Sequence, residues 1–205
     1  MSELIERYPA LAVCEDSIGA ALRLLCDGFR AGGKLLLCGN GGSCADCEHI
    51  AGELGKAFLR KRPLTDARVK EMTERFPAVA PLLPLLEDGL PAIPLPSLGA
   101  LSTAYANDRD PELVFAQAVM SLGREGDMLL AISTSGNAKN AVAAAKVARA
   151  LGMRVLALTG AGGGALAEIA DVTIAVPERE TFKVQELHLP VYHYLCAAIE
   201  AEVFQ

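Results

Sequence analysis

The chain has 205 residues, of which 52% are hydrophobic and 21% charged, and a formal net charge of −6. This composition supplies a sizeable core and excludes a disordered chain, no apolar run reaches the roughly 18 residues of a membrane span, and the acidic balance argues against a general nucleic-acid-binding surface. Six irregularly spaced cysteines read as reduced, core-filling thiols, and the polar, acidic start MSELIERYPA does not read as a signal peptide, so the expected address is the cytoplasm.

In chain order, apolar positions at helical spacing (Leu11, Ile18, Leu22, Leu25, Phe29) predict a helix within about 5–31, stopped by Gly32-Gly33. Lys34 to Cys38 reads as a buried strand that breaks at Gly39-Asn40-Gly41-Gly42-Ser43 and gives way to a helix through about Phe58. Residues 62–90 are rich in proline and read as an insert with one short helix near 67–75. A second strand at 91–95 carries prolines that place it at a sheet edge. Helical stretches at 97–106 and 111–122 lead to a third strand at 127–133. A long Ala-rich helix, a fourth strand at 154–159 and a fifth at 172–176 follow, and a helix over about 182–204 closes the chain. Alternating strands and helices predict an α/β fold with a mainly parallel sheet.

Two strand-to-helix loops carry the chemistry of an anion site: Gly39-Asn40-Gly41-Gly42-Ser43 and Ser133-Thr134-Ser135-Gly136-Asn137. Glycines admit close approach of the backbone, hydroxyls donate hydrogen bonds, and the following helix N-terminus adds partial positive charge. Each loop alone reads equally well as an ordinary turn and cap. Neither is a Walker A loop, and neither fits a dinucleotide fingerprint.

Gly39–Ser43, His49-Ile50-Ala51-Gly52-Glu53-Leu54, Ala106-Asn107-Asp108, Gly123–Asp127, Ile132–Asn137, Leu158-Thr159-Gly160 and Gln185-Glu186-Leu187-His188 occur in this order. Together they resemble the SIS-domain phosphoheptose isomerases over most of the chain, apart from the insert. The resemblance implies a flavodoxin-like SIS fold spanning 1–205, with a five-stranded mainly parallel sheet and helices on both faces. It also implies a homotetramer with sites between subunits. The implied activity is conversion of sedoheptulose 7-phosphate to D-glycero-D-manno-heptose 7-phosphate through an enediol, feeding a heptose-containing polysaccharide. In this family Ser43, Ser133, Thr134 and Ser135 would hold the phosphate, and Asn40, Gly41, Gly42, Glu53, Asn107, Asp108 and Gln185 would line the sugar. The family usually has a serine where this chain has Ala138.

Aldose–ketose isomerisation needs a base near the migrating proton and a group that steadies the enediolate. His49 and Glu53, four residues apart, share a helix face and suit either an acid/base pair, a metal, or a plain surface pair. Gln185 and His193 are eight residues apart, roughly 80° around an ideal helix. By resemblance, His49, Glu53, Gln185 and His193 are zinc ligands, and Glu53 and His193 are also the proton-transfer residues, two roles in tension. His188, three residues from Gln185, is the nearer histidine by spacing, and Pro190 is expected to kink the helix between Gln185 and His193. Cys44-x-x-Cys47 offers a rival metal or redox pair, with packing as the plain alternative. Other readings are a non-catalytic SIS protein bound to a partner such as a replication initiator, a sugar-phosphate sensor, and an isomerase of another sugar phosphate. Retention of His193 favours the enzyme.

Overall fold

The computed structural model describes residues 1–204. In chain order the elements are α1 (Ser2–Arg7), α2 (Glu15–Arg30), β1 (Leu35–Cys38), α3 (Gly42–Gly55), α4 (Asp66–Arg75), β2 (Ala92–Pro94), α5 (Gly99–Asp108), α6 (Val114–Leu122), β3 (Met128–Ser133), α7 (Lys139–Ala150), β4 (Arg154–Thr159), α8 (Gly164–Ala167), β5 (Val172–Ala175) and α9 (Thr181–Val203). The five strands form one sheet in the order β2-β1-β3-β4-β5, and every pairing is parallel. This is the α/β architecture expected from the alternation of strands and helices, with the proline-bearing strand at an edge.

The central strands β1, β3 and β4 are buried on both faces, which is why they read as mainly apolar runs. Leu35, Leu37, Met128, Leu130 and Ile132 pack into a core with residues of α2, α3 and α9. Leu36, Cys38, Leu129, Ala131, Val155 and Ala157 pack into a second core with α6 and α7. In α7 the side chains toward the sheet are Ala141, Ala144, Ala145 and Ala148, all fully buried. Small residues at this helical spacing let the helix lie close to the strands.

The expected N-terminal helix is in fact three pieces. α1 ends at Arg7, a 3₁₀ segment runs Pro9–Cys14, and α2 starts at Glu15. Pro9 lacks an N–H and has a fixed φ, and Tyr8 before it lies outside the helical region at φ −132° and ψ 73°, so a single helix cannot pass through. The insert carries α4 as anticipated, followed by two 3₁₀ turns at Pro77–Val79 and Leu83–Leu85. Its base is stitched by Asp88 N–H to the Arg62 carbonyl at 2.7 Å and by an Arg68–Asp88 ion pair at 2.6 Å. Its tip presents Phe76, Leu82, Leu85 and Leu86 to solvent.

The segment between α3 and the insert is fixed by a buried ion pair. The Glu200 carboxylate of α9, fully buried, accepts N–H bonds from Phe58, Leu59 and Arg60 at 2.8, 2.8 and 2.9 Å and from Arg62 Nε at 2.7 Å. Burial alone would raise its pKa, but these donors overcome that and hold it below the ordinary carboxylate range. Arg62, also buried, donates to the Leu54 and Glu53 carbonyls and lies over the Phe204 ring. Breaking such a pair leaves an uncompensated buried charge. Glu200→Ala is therefore expected to lower the unfolding free energy by about 3–5 kcal/mol, a fall in Tm on the order of 10 °C; a change under 1 °C in a thermal melt would contradict it.

His188 of α9 is fully buried, and neither ring nitrogen has a hydrogen-bond partner. Burial lowers its pKa to about 4, against a weaker opposing pull from the Thr159 backbone, which neither nitrogen meets at hydrogen-bonding geometry. The folded chain therefore keeps His188 neutral while the unfolded chain protonates it below about pH 6.5. Stability is complete above that pH and is lost progressively as pH falls toward 4, by up to about 3 kcal/mol from this group. His188→Leu should flatten that part of the stability–pH curve, measured by urea unfolding at a series of pH values; an unchanged slope would refute the assignment.

Candidate active site

In an open parallel sheet a crevice forms beyond the strand carboxyl ends where the strand order reverses. Here that point lies between β1 and β3, which pair Cys38 with Ala131 and so bring the two glycine- and hydroxyl-rich loops side by side. Asn40 of the first loop and Asn140 at the start of α7 exchange reciprocal side-chain hydrogen bonds at 2.9 Å, which joins the loops directly. Asn140 was not singled out by sequence reasoning, because an asparagine in the first turn of a helix reads as an ordinary cap.

The glycines have specific duties. Gly41 has φ +55°, a backbone conformation that side chains rarely adopt. At Gly42 a Cβ would lie 2.3 Å from Gln185 Nε2, so the bare backbone is what seats the Gln185 amide on the loop. In the second loop Ser133 is buried, and its Oγ accepts from the Ala138 N–H at 3.4 Å. Ser135 Oγ accepts from the Asn137 N–H at 3.1 Å. Both hydroxyls use an acceptor site for the turn and retain a proton to donate. Ala138 is the N-cap of α7 and supplies no side-chain cap, so the first N–H groups of that helix lack the oxygen a serine would offer. Ser43 is buried at the start of α3.

α3 and α9 lie against each other along one side of this crevice. On α3, Cys47, Ile50 and Leu54 turn into the core. Asp46, His49 and Glu53, at the same i, i+3, i+7 spacing one residue earlier, form the neighbouring stripe. His49 Nε2 lies 3.4 Å from Glu53 Oε1 and 3.4 Å from His193 Nε2 of α9. Glu53 Oε2 is also held by Lys56 at 2.9 Å. The His193 ring stands edge-on to His49, with centroids 4.9 Å apart, and packs beside Phe58. Burial, and then the proximity of His49, lower the His193 pKa against an opposing effect of Glu53.

Thus three of the four sequence-derived donors, His49, Glu53 and His193, meet at one place. The fourth, Gln185, lies across Gly42, which precedes His49 on α3 by seven residues, about 10 Å of helix. Pro190 does not break α9, which is continuous across it. His188, the nearer histidine by spacing, points into the core and takes no part. Asn107 and Asp108 stand exposed at the end of α5, where Asn107 Nδ2 bonds Asp108 Oδ1 at 2.9 Å.

Two further groups were missed by sequence reasoning. The Tyr192 hydroxyl lies 3.1 Å from His49 Nδ1 and 3.2 Å from Asp46 Oδ1. Burial and the neighbouring Asp46 raise the Tyr192 pKa; burial raises that of Asp46, against the opposing pull of Tyr192 and His49. Asp46 was legible in principle, since it shares the helix face of His49 and Glu53. Tyr192, next to His193, reads from sequence as core.

The trio fits zinc in the type of donor. Two nitrogens bound tetrahedrally to zinc sit about 3.3 Å apart, close to the observed separation of the facing imidazole nitrogens. Among the described residues, however, no group of three or more His, Cys, Asp or Glu side chains is gathered closely enough to be a metal centre as it stands. The Cys44/Cys47 rival does not hold: burial raises the pKa of both thiols, and Cys47 is wholly buried in the core. No helix among the described residues is long and apolar enough to cross a membrane.

The SIS domain family model matches residues 3–78 and 66–160. A phosphoheptose isomerase of Akkermansia muciniphila is 36% identical over 201 residues, covering 98% of this chain and 93% of that protein. Among solved structures, phosphoheptose isomerase GmhA from Neisseria gonorrhoeae superposes with a TM-score of 0.77 at 32% identity, covering 98% of this chain and 94% of that one. A phosphoheptose isomerase from Francisella tularensis gives 0.76 at 29% identity, with the same coverage. With the strand order, the paired loops and the α3–α9 cluster all in place, the chain belongs to the SIS domain family, in its phosphoheptose isomerase branch.

Proposed function

We infer that the protein is an aldose–ketose isomerase that converts sedoheptulose 7-phosphate to D-glycero-D-manno-heptose 7-phosphate. The observation that carries this reading is the meeting of Glu53, His49 and His193 on the side of the crevice where the two glycine- and hydroxyl-rich loops are joined. The phosphate sits at the hydroxyls of Ser43, Ser133, Thr134 and Ser135 and the N-terminus of α7. Asn40, the Gly41–Gly42 backbone and Gln185 line the sugar chain. This leaves C1 and C2 over the α3–α9 seam.

There the Glu53 carboxylate removes a proton from C1 of the ketose, and the electron pair forms the enediol. The proton returns to C2, and His193 moves the proton that passes between the two oxygens. His49, Glu53, His193 and, after a shift from Gly42, Gln185 would hold zinc, and Glu53 and His193 would have to leave the ion in order to move protons. The ion supplies polarisation of the carbonyl and charge stabilisation for the enediolate oxygen. The reading extends to a single SIS unit over 1–205, a cytoplasmic homotetramer in which Asn107 and Asp108 complete a neighbour's site. Their exposure, and their bond to each other alone, support that role.

Incubation with sedoheptulose 7-phosphate, with and without added zinc, tests the activity; absence of aldoheptose phosphate under both conditions would refute it. Glu53→Gln is expected to lower kcat by about 10²–10⁴-fold with KM little changed. Zinc content is measured alongside. Retention of metal with loss of turnover identifies Glu53 as the base, whereas activity within tenfold of the parent would remove it from that role.

Ala138→Ser restores an N-cap to α7 and adds a donor at the phosphate loop. We expect about 0.5–1 kcal/mol of added stability, read as a rise in Tm, together with a lower KM for the sugar phosphate. A lower Tm and an unchanged KM would show that the cap position is not available to a hydroxyl.

A further inference from the structure

The Tyr192 hydroxyl sits between Asp46 and His49 with no other polar partner, and Tyr192 is buried. The Asp46 carboxylate is engaged through Oδ1 alone, since Oδ2 is buried and has no hydrogen-bond partner. A buried carboxylate oxygen left unpaired costs free energy, so Asp46 is poorly explained as a packing residue or a cap. It is well explained as an acceptor kept for one proton, that of the tyrosine.

The donors can be counted. The phenol has a single proton, and an ionised carboxylate can only accept. With that proton given to Asp46 Oδ1, the phenol oxygen faces His49 Nδ1 as an acceptor, so Nδ1 must carry the ring hydrogen. In a neutral imidazole the other nitrogen then bears a lone pair. That nitrogen, Nε2, is the one 3.4 Å from both Glu53 Oε1 and His193 Nε2.

We propose that Tyr192 and Asp46 are positioning residues that lock the Nδ1–H tautomer of His49, so that its Nε2 lone pair faces Glu53 and His193 as a ready ligand for a divalent cation. The inference rests on the isomerase reading only for its consequence in catalysis; the tautomer stands on the geometry. The carboxylate–phenol–imidazole chain plays the part of the outer partners that orient metal-bound histidines generally. Its edge contacts also fix the ring plane, since Tyr192 stands T-shaped to His49 at 5.4 Å and to His193 at 5.1 Å. In Tyr192→Phe these ring contacts persist and only the hydroxyl is lost.

The test uses the full chain, metal-free for the tautomer and with one equivalent of zinc for the affinity. Long-range ¹H–¹⁵N spectra of ¹⁵N-histidine-labelled protein report which nitrogen of His49 carries the hydrogen, and competition with a chromogenic chelator reports zinc affinity. For the parent we expect a hydrogen on Nδ1 that exchanges slowly with solvent. In Tyr192→Phe that proton should exchange fast, and zinc should bind about 10–100-fold more weakly, with Tm showing that the fold is kept. Asp46→Asn should weaken zinc in the same direction. Zinc affinity within twofold of the parent in both variants, or a hydrogen on His49 Nε2 in the parent, would overturn the proposal. Neither readout depends on turnover, so failure of the isomerase reading alone would leave both results standing.

Discussion

Everything at the site depends on the phase of α9 against α3, and that phase is set by one buried carboxylate. Glu200 gathers the N–H groups of residues 58–60, which leave α3 directly, and pairs with Arg62, whose guanidinium returns to the last carbonyls of α3. His193 lies seven residues before Glu200, two turns on nearly the same face of the helix. Fixing Glu200 to the end of α3 therefore fixes where His193 points, two turns nearer the crevice, opposite His49. An apolar residue at 200 could fill the volume but would not specify a rotation. Hydrogen bonds to a charged acceptor specify direction as well as proximity.

At the opposite end of the seam the constraint is the absence of side chains. Gln185 reaches the loop because Gly42 has no Cβ, and the first loop turns because Gly41 takes a positive φ. The second loop is held tight in another way. Gly136 is also at positive φ, and a Cβ there would lie 1.9 Å from the Gly163 carbonyl oxygen, so the β4–α8 turn is packed against it backbone to backbone. The proposed anion site is thus supported from behind by a second glycine-rich turn.

The fold was largely legible in the sequence because the central strands β1, β3 and β4 are covered on both faces, and each therefore prints as a mainly apolar run between glycine-bearing breaks. The break at Pro9 was not read, since the apolar spacing runs on through it while the backbone cannot. The pairing of His49 with Glu53 was legible from helical spacing, but their meeting with His193 joins residues about 140 positions apart and came only from resemblance. Periodicity reports which face of a helix a residue occupies, and says nothing of what lies across from it. Tyr192 and Asn140 escaped notice for that reason. His188 shows the converse: its spacing from Gln185 suited the site, but the face it occupies is the core.

The short proline-flanked strand β2 has a consequence for how copies of this chain can meet. Prolines 91, 94 and 96 bracket a three-residue edge that offers few free N–H groups for another strand to join. At the far edge, the Cys14 thiol, from the 3₁₀ segment that leads into α2, donates to the Ala175 carbonyl at the end of β5. The β2 margin is a poor template for continuing the sheet from one molecule into the next. A homotetramer of the kind proposed above would therefore be built from helical faces and the apolar tip of the insert, contacts that bury side chains and can close into a finite particle without growing into a fibre.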